Sequence, residues 1–267
     1  MSALLRWNPG EGRLDPAEAD VESFGDVLAA DSWLVSDGAV LALALHRDRF
    51  LRSAEAQGAS IDPSPFWDSA VAALPRTGDW FPRVDLRTGA KGGPELLLHL
   101  RPAPARTASV VVATHEGPDP RRTPSIKGPD LERLGLLRTA AAERGAGEVV
   151  LTAEDGSVIE AAYSALLWWR GDALCTPAPE LARVDSVTSR SVLTLAAAFG
   201  VDLLHERRAP AELDGLEVWA VNAAQGIRIV REWQNGPALA AEPGRLALWR
   251  TRLQALRRPL PGGPRES

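Results

Sequence analysis

Only two side chains in this sequence carry a primary amine, and they are the first candidates for covalent chemistry. They are Lys91 and Lys127, and arginine supplies nearly all of the other basic charge. A lysine amine can form a Schiff base with a carbonyl compound, whereas an arginine guanidinium stays protonated and cannot. Lys91 lies in a glycine-flanked loop, but Lys127 precedes a segment with helical periodicity. We therefore expect any Schiff-base chemistry to fall to Lys127.

The segments after Lys127 are predicted to form a helix, a β-hairpin, further strands and a second helix. The first helix spans Leu131 to Arg144, where leucine and alanine recur at helical spacing, and Asp130 is a good N-cap for it. The hairpin turns at Asp155-Gly156, a dipeptide that favours tight turns between apolar runs. A lone lysine is usually a solvated surface charge. For Lys127, the order of the predicted elements that follow it favours a chemical role instead.

The remaining elements follow from the same criteria. Upstream of the lysine we predict an edge strand around Leu4, a hairpin that joins 32–35 to 39–45, and helices at 46–58 and 68–74. Strands are predicted at 81–86, 95–101, 108–114, 148–152, 158–160, 166–169 and 174–177. Ser186 to Arg190 opens a helix that runs from Ser191 to Phe199.

In its order and spacing this series resembles the class IV aminotransferases, the pyridoxal-phosphate enzymes that include branched-chain aminotransferases, D-amino acid aminotransferases and aminodeoxychorismate lyases. The matching pieces after the link are Lys127, Gly145-Ala146-Gly147-Glu148, Gly156-Ser157-Val158-Ile159-Glu160, Thr176-Pro177 and Ser186-Val187-Thr188. His46 to Arg49 extends the resemblance upstream, and Asn222 to Ile227 extends it downstream in a form most like the lyases. It covers residues 20 to 235.

The resemblance implies a two-domain α/β (α+β) protein of fold type IV, with the cofactor in a cleft between the domains and with a homodimer as the working form. We expect a smaller N-terminal domain over 1–117, a link over 118–122, and a larger C-terminal domain over 123–267 that carries the lysine. The link is placed where Gly, Pro, Asp and Arg follow one another without apolar periodicity.

Individual roles also follow from the resemblance. Lys127 would form the aldimine with pyridoxal phosphate and take the proton from the substrate carbon that bears nitrogen, and Glu160 would pair with the pyridine nitrogen. Plainer interpretations are a solvated hairpin glutamate for Glu160, an ordinary N-cap for Thr188 and packing for Tyr163. The other implied contacts are Arg49, Val187, Thr188 and Ala223 with the cofactor, and Tyr163 and Asn222 with the substrate.

Several positions depart from the family pattern. Ala165, Ser186 and Ser189 stand where relatives usually have Asn, Gly and Arg, and Ala223 stands near the threonine of branched-chain relatives. The first hairpin has Ala30 to Leu34 in place of Phe-Glu-Thr-x-Arg. These changes thin the secondary contacts to cofactor and substrate.

Three functions agree with this pattern. The first is a lyase of folate biosynthesis that converts 4-amino-4-deoxychorismate to 4-aminobenzoate and pyruvate, favoured by the Asn222 to Ile227 run and by the missing branched-chain threonine. The second is an aminotransferase that moves an amino group from a D-amino acid, a branched-chain amino acid or an amine to a keto acid. The third, favoured by the departures, is a cofactor-free homologue that acts as a binding module.

Composition narrows the class of protein further. A net charge of −5, without a basic block interleaved with aromatic residues, disfavours a nucleic-acid role. The single cysteine, Cys175, excludes an internal disulfide and suits a reducing compartment. We find no run long enough to span a membrane, no signal peptide and no metal-binding spacing among the four histidines. We therefore expect a cytoplasmic enzyme without a metal.

Overall fold

The computed structural model describes residues 2–17, 24–89, 92–241 and 244–262. Lys91 lies outside the described residues. The chain forms two compact units, which we describe separately. Unit 1 comprises Met1–Ala105, Ile126–Pro129 and Leu256–Ser267, and unit 2 comprises Arg106–Ser125 and Asp130–Ala255.

This division differs from the predicted domain boundaries. The expected N-terminal domain ended at 117, but the strand Ser109–Thr114 pairs with strands of unit 2 on both sides. The expected C-terminal domain held Lys127, but the short segment around this lysine belongs to unit 1. Composition marks the loop at 116–122 correctly as irregular, yet hydrogen bonding decides to which unit each flank belongs.

Unit 1 is built on a five-stranded antiparallel sheet in the order β2-β1-β8-β7-β3. Its strands are β1 (Ala3–Asn8), β2 (Arg13–Pro16), β3 (Val27–Ser32), β7 (Arg83–Thr88) and β8 (Pro94–Leu100). The strand around Leu4 was expected at an edge, but β1 lies between β2 and β8 because the turn-rich segment after it returns as β2.

The rest of unit 1 covers one face of that sheet. Helix α1 (Leu43–Ala56) packs on β3, and α2 (Ser64–Ala72) lies near β2. A second, four-stranded sheet has the order β17-β5-β4-β6. Its strands are β4 (Val35–Ser36), β5 (Ala39–Val40), β6 (Asp79–Trp80) and β17 (Arg258–Pro259). The predicted hairpin over 32–45 is therefore shorter than expected, because α1 already begins at Leu43.

Unit 2 is built on an eight-stranded mixed sheet in the order β11-β10-β9-β16-β15-β12-β13-β14. Its strands are β9 (Ser109–Thr114), β10 (Glu148–Thr152), β11 (Val158–Ala161), β12 (Ala165–Arg170), β13 (Ala173–Pro177), β14 (Leu203–Glu206), β15 (Glu217–Asn222) and β16 (Gly226–Gln234). A tight turn joins β11 to β12, and in it Ala161 and Ser164 form an isolated antiparallel bridge.

Three α-helices and a short 3₁₀ helix accompany this sheet. They are α3 (Leu131–Ala142), α4 (Val187–Ala198), the 3₁₀ helix (Pro210–Leu213) and α5 (Leu246–Gln254). Helix α3 packs Leu134 and Ala141 against β10, and α4 and α5 pack on β15 and β16. Trp169, Trp219 and Trp249 form one aromatic cluster between the sheet and α5, with ring centroids 5.4 to 5.8 Å apart.

Helix α3 begins where the sequence predicts it, but its N-cap residue works differently. Asp130 occupies the N-cap position without a side-chain cap to the helix. Its carboxylate instead accepts hydrogen bonds from the backbone N–H groups of Arg122 and Thr123, at 2.9 to 3.1 Å. Asp130 therefore closes the loop before the helix, and Glu132 is the acidic residue in the first turn of the helix, where a negative charge interacts favourably with the helix dipole.

None of the described helices is long and apolar enough to cross a membrane.

Candidate active site

The candidate site in unit 1 centres on three buried polar residues, Asp31, His46 and Arg49. Asp31 lies on β3, and the other two lie one helical turn apart on α1, so all three meet where the helix packs on the strand. Arg49 donates from Nε to Asp31 Oδ2 at 2.7 Å and from Nη2 to Oδ1 at 2.8 Å. His46 Nδ1 lies 2.7 Å from the same Oδ1. Asp31 therefore orients both the imidazole and the guanidinium.

These contacts determine the protonation states. Burial alone would raise the pKa of Asp31, but Arg49 and His46 outweigh it and hold that pKa well below its usual range. Burial also lowers the pKa of His46, and Arg49 and Lys127 lower it further, against the opposing effect of Asp31. The imidazole is thus neutral at pH 7. Because its Nδ1 donates to an ionised carboxylate, its Nε2 carries the lone pair.

Lys127 is held to unit 1 through its own backbone. Its carbonyl oxygen accepts a hydrogen bond of 2.7 Å from the N–H of Ala30, at the edge of the sheet formed by β3. The following residue must be glycine: Gly128 has φ +142°, and a Cβ there would lie 2.8 Å from Ala29 Cα and Ala30 N. The segment therefore lies against the edge of β3 through one backbone hydrogen bond, and the Lys127 charge is close enough to act on His46.

The candidate site in unit 2 centres on Glu160, which is buried on β11. Arg121 Nη1 donates to Glu160 Oε1. The other edge of the same guanidinium binds Asp119, with Nε 2.9 Å from Oδ1 and Nη2 2.6 Å from Oδ2. Nη2 also donates to the carbonyl oxygen of Ala182 at 3.1 Å. Arg121 thus joins two carboxylates, and its side chain is only 2% exposed.

Burial and neighbouring charges both shift the pKa values of Arg121 and of a second arginine near it, Arg183. Burial lowers the pKa of Arg121, but its carboxylate partners outweigh that effect and raise the pKa overall, so the guanidinium stays charged. Arg183, close enough to feel Glu160 and Arg121, has its pKa lowered by burial. It donates to the carbonyl oxygens of Pro177, Ala178 and Leu181 and so fastens the loop that follows β13.

The start of α4 supplies backbone donors. Ser186 is its N-cap, and the Ser186 hydroxyl accepts from the N–H of Ser189 at 3.2 Å. The amides of Val187 and Thr188 come first in the helix, where no intrahelical acceptor exists, and both residues are buried. Such a helix start favours an anion.

The predicted substrate residues make contacts within unit 2. Tyr163 donates from its hydroxyl to the carbonyl oxygen of Leu131 at 3.0 Å, and Arg138 lies over its ring at 4.4 Å. Asn222 donates to Ser164 Oγ at 2.9 Å, and its Oδ1 accepts from the N–H of Gln225, so it closes the turn that contains Ala223. Both residues stay predicted substrate contacts.

The site in unit 1 offers a primary amine and a neutral imidazole, and the site in unit 2 offers a buried carboxylate and backbone donors for an anion. A primary amine can hold a carbonyl compound covalently, and the backbone donors of a helix start can bind a phosphate. Among the described residues, no group of three or more His, Cys, Asp or Glu side chains stands close enough to hold a metal ion.

A family model for amino-transferase class IV matches residues 28–233, which is most of the chain. The chain belongs to the class IV aminotransferase family. A search of curated protein sequences finds no match.

Solved structures agree with this class IV fold. A branched-chain aminotransferase from Thermoproteus uzoniensis, solved with norvaline, has a TM-score of 0.80 and 19% identity, with 97% of this chain and 99% of that chain covered. A hypothetical aminotransferase from Mycobacterium tuberculosis in its PLP-bound form has a TM-score of 0.79 and 18% identity, with 96% and 98% covered. At such identities the likeness shows the fold, which is the predicted fold type IV.

Two residues of the candidate sites escaped the sequence analysis. Arg121 lies in the segment that the sequence predicts to be a link, and nothing local indicates that it meets Glu160. Asp31 lies in the hairpin that departs from the family's Phe-Glu-Thr-x-Arg motif, although a carboxylate still occupies the motif's acidic position. The available signal was the alignment of Asp31 with that acidic position.

Proposed function

We propose that this protein binds pyridoxal 5′-phosphate through Lys127 and acts on a small primary amine. The observation that carries the proposal is the docking of the Lys127 segment on β3. The hydrogen bond from Ala30 and the glycine required at position 128 fix one of the chain's two lysines beside a buried, neutral histidine. A solvated linker lysine would need neither feature.

The residues present fit this cofactor. Arg49 and the amides of Val187 and Thr188 are suitable donors for its phosphate, and Glu160, paired with Arg121, is a carboxylate suited to a protonated ring nitrogen. Asp31 holds Arg49 in one orientation. When bound, pyridoxal phosphate supplies an electron sink for the bond that breaks at the amine carbon.

The residues of the chain then handle protons and charge. With the cofactor and a substrate bound, the Lys127 amine would act as the base that takes the proton from the substrate carbon that bears nitrogen. His46, neutral and fixed by Asp31, provides an uncharged surface near Lys127 and so favours the unprotonated amine that this step needs. Glu160 keeps the ring nitrogen protonated.

For the overall reaction we propose the lyase: conversion of 4-amino-4-deoxychorismate to 4-aminobenzoate and pyruvate. The support is the Asn222 to Ile227 run and Ala223 in place of a threonine hydroxyl. The second candidate is an aminotransferase that delivers the amino group to a keto acid, and it is favoured by the similar solved structures, which are those of aminotransferases and a transaminase. In either case we infer a cytoplasmic homodimer.

The first experiment is to trap the cofactor. Purified protein is mixed with pyridoxal phosphate, its visible spectrum is recorded, the adduct is reduced with borohydride, and the labelled peptide is identified by mass spectrometry. We expect one label per chain on Lys127, lost in Lys127→Ala and kept in the matched control Lys91→Ala. A label on Lys91 or on the N-terminus would refute the assignment.

The second experiment separates the two reactions. Unreduced protein loaded with pyridoxal phosphate is given 4-amino-4-deoxychorismate without any keto acid, and pyruvate is measured. Repeated turnover to pyruvate is expected of the lyase. Turnover that starts only when a keto acid and an amino acid are supplied would establish the aminotransferase, and absence of both with no bound cofactor would establish the binding module.

A further inference from the structure

A buried charge cluster surrounds Glu160, and the proposed reaction leaves most of it unexplained. Arg121 lies between two carboxylates, Glu160 and Asp119, and makes hydrogen bonds to both. Summed over the three ionised side chains, the cluster carries one negative charge. Arg183 and Glu180 act on the same region with opposite charges and leave this balance unchanged.

Such a cluster suits a ligand with one positive charge. A lone buried carboxylate tends to take up a proton, because burial penalises its ionised form. A guanidinium that donates to it favours ionisation and selects one rotamer. Asp119 in turn balances the arginine, so that the cation does not repel a second cation brought to Glu160.

We propose that Arg121 is a positioning residue that holds Glu160 ionised and in a single orientation, as the partner of a protonated ring nitrogen. The inference rests on the proposed function, since it assigns that nitrogen to pyridoxal phosphate. Arg121 acts through Glu160 and touches neither cofactor nor substrate. Its part is to make the site discriminate a pyridine ring from a ring without the nitrogen.

Arg121 is placed to orient Glu160, whereas the adjacent Arg122 is not. The Arg121 side chain is almost fully buried, and four of its N–H···O contacts go to Asp119, Glu160 and Ala182. Arg122 is exposed, and its backbone, rather than its guanidinium, is held by Asp130. The chain thus offers two adjacent arginines of which only one reaches the cluster, and Arg122→Gln is a matched control.

The test measures binding of two probes to the apoprotein: pyridoxal phosphate and its 1-deaza analogue, in which carbon replaces the ring nitrogen. We expect the wild type and Arg122→Gln to prefer pyridoxal phosphate by about tenfold or more, the size of one charge-assisted hydrogen bond. Arg121→Gln should reduce this preference to about threefold or less, and Arg121→Lys, which keeps the charge, should restore part of it.

A double-mutant cycle with Glu160→Gln decides whether Arg121 acts through Glu160. If it does, Arg121→Gln has no further effect on the preference once Glu160 is changed. An unaltered preference in Arg121→Gln, or equal losses in the two backgrounds, overturns the proposal. If Arg121→Gln fails to fold, Arg121→Lys is measured in its place. If Arg121→Lys prefers pyridoxal phosphate over the 1-deaza analogue as strongly as the wild type does, the guanidinium of Arg121 is not what orients Glu160, and the proposal is overturned.

The outcome stays distinguishable from a failure of the proposed function. If borohydride labels Lys127 in the wild type but the preference does not depend on Arg121, only this inference falls. If the wild type binds neither probe and no lysine is labelled, the proposed function falls and takes the inference with it.

Discussion

At the scale of single residues, Asp31 determines the state of its surroundings. It is fully buried, and it is the carboxylate to which both His46 and Arg49 are bound. Removal of one partner of a buried ion pair is costly because the other charge stays buried without compensation. The Asp31 carboxylate thus affects the stability of the fold. If Arg49 binds a phosphate, the carboxylate also affects how well the Arg49 guanidinium is oriented for it.

We predict that Asp31→Asn lowers the free energy of unfolding by about 3 to 5 kcal/mol, since Arg49 would lose its counter-charge. Urea unfolding followed by tryptophan fluorescence measures the change. The control is Asp202→Asn, an exposed aspartate, which should leave stability nearly unchanged. Equal stability of Asp31→Asn and the wild type would contradict the central place given to Asp31.

The lowered pKa of His46 predicts that the stability of the fold depends on pH. The pKa of this histidine in the folded protein is lowered from the ordinary value of 6.5, so below that value the unfolded chain binds a proton that the folded protein does not. Stability contributed by the neutral imidazole is present above the ordinary pKa and is lost as the pH falls below it. Its neighbours Asp31, Arg49 and Lys127 are the charged groups that act on it.

We therefore expect the wild type to lose more stability between pH 7.5 and pH 5.5 than His46→Asn, whose amide nitrogen can still donate to Asp31. The difference should reach about 1 kcal/mol, set by the 1.36 kcal/mol of each pKa unit. Urea unfolding at both pH values measures it, and the exposed His205 serves as control through His205→Asn. Parallel losses in the wild type and His46→Asn would show that the imidazole is not neutral in the fold.

At the scale of elements, the Lys127 segment is the piece on which the proposed chemistry depends most. It is held through the backbone at the edge of β3, and Gly128 allows this approach. Neither the loop nor the strand edge could form the contact with a side chain at position 128. The backbone position of Lys127 at the edge of β3 therefore depends on Gly128, the residue that follows it.

We predict that Gly128→Ala lowers labelling of Lys127 by pyridoxal phosphate and borohydride at least tenfold, because the added methyl group collides with the backbone of Ala29 and Ala30. The matched control is Gly156→Ala, which has positive φ as well but open space around its Cβ, and so separates backbone strain from collision. If both variants label alike, the docking on β3 is not what positions the lysine.

Most regular elements could be predicted from the sequence, and the tertiary contacts could not. Alternation and the Asp155-Gly156 turn predicted the antiparallel pair of β10 and β11, and apolar spacing predicted α3. The pairing of Arg121 with Glu160 spans 39 residues and depends on where the loop before the lysine runs. The capping role of Asp130 failed for the same reason, since the preceding loop took up its carboxylate.

At the scale of the whole molecule, the chain passes four times from one unit to the other. Leu260, in the last part of the chain, is buried in the core of unit 1, and its N–H donates to the carbonyl oxygen of Gly38. The β3 edge is covered by a segment from the middle of the chain. Residues 1–105 therefore depend on two later segments of the chain to complete unit 1.

We predict that a fragment of residues 1–105 expressed alone shows no cooperative unfolding, because a strand edge and part of its core stay exposed. Co-expression with residues 106–267 should yield a stable complex, because the second fragment supplies both missing segments. Near-ultraviolet circular dichroism and affinity capture of a tagged first fragment measure this. A sharp unfolding transition for the first fragment by itself would be the contrary result.

The contact of the lysine segment with the sheet edge of unit 1 also constrains how such a protein can be recombined. A chimera that takes residues 1–105 from one parent and the rest from another joins the sheet edge of one parent to the lysine segment of the other. The close fit at Gly128 would then have to be met by foreign backbone. Breakpoints that transfer 126–129 and 256–262 together with the first 105 residues keep these contacts inside unit 1 within one parent.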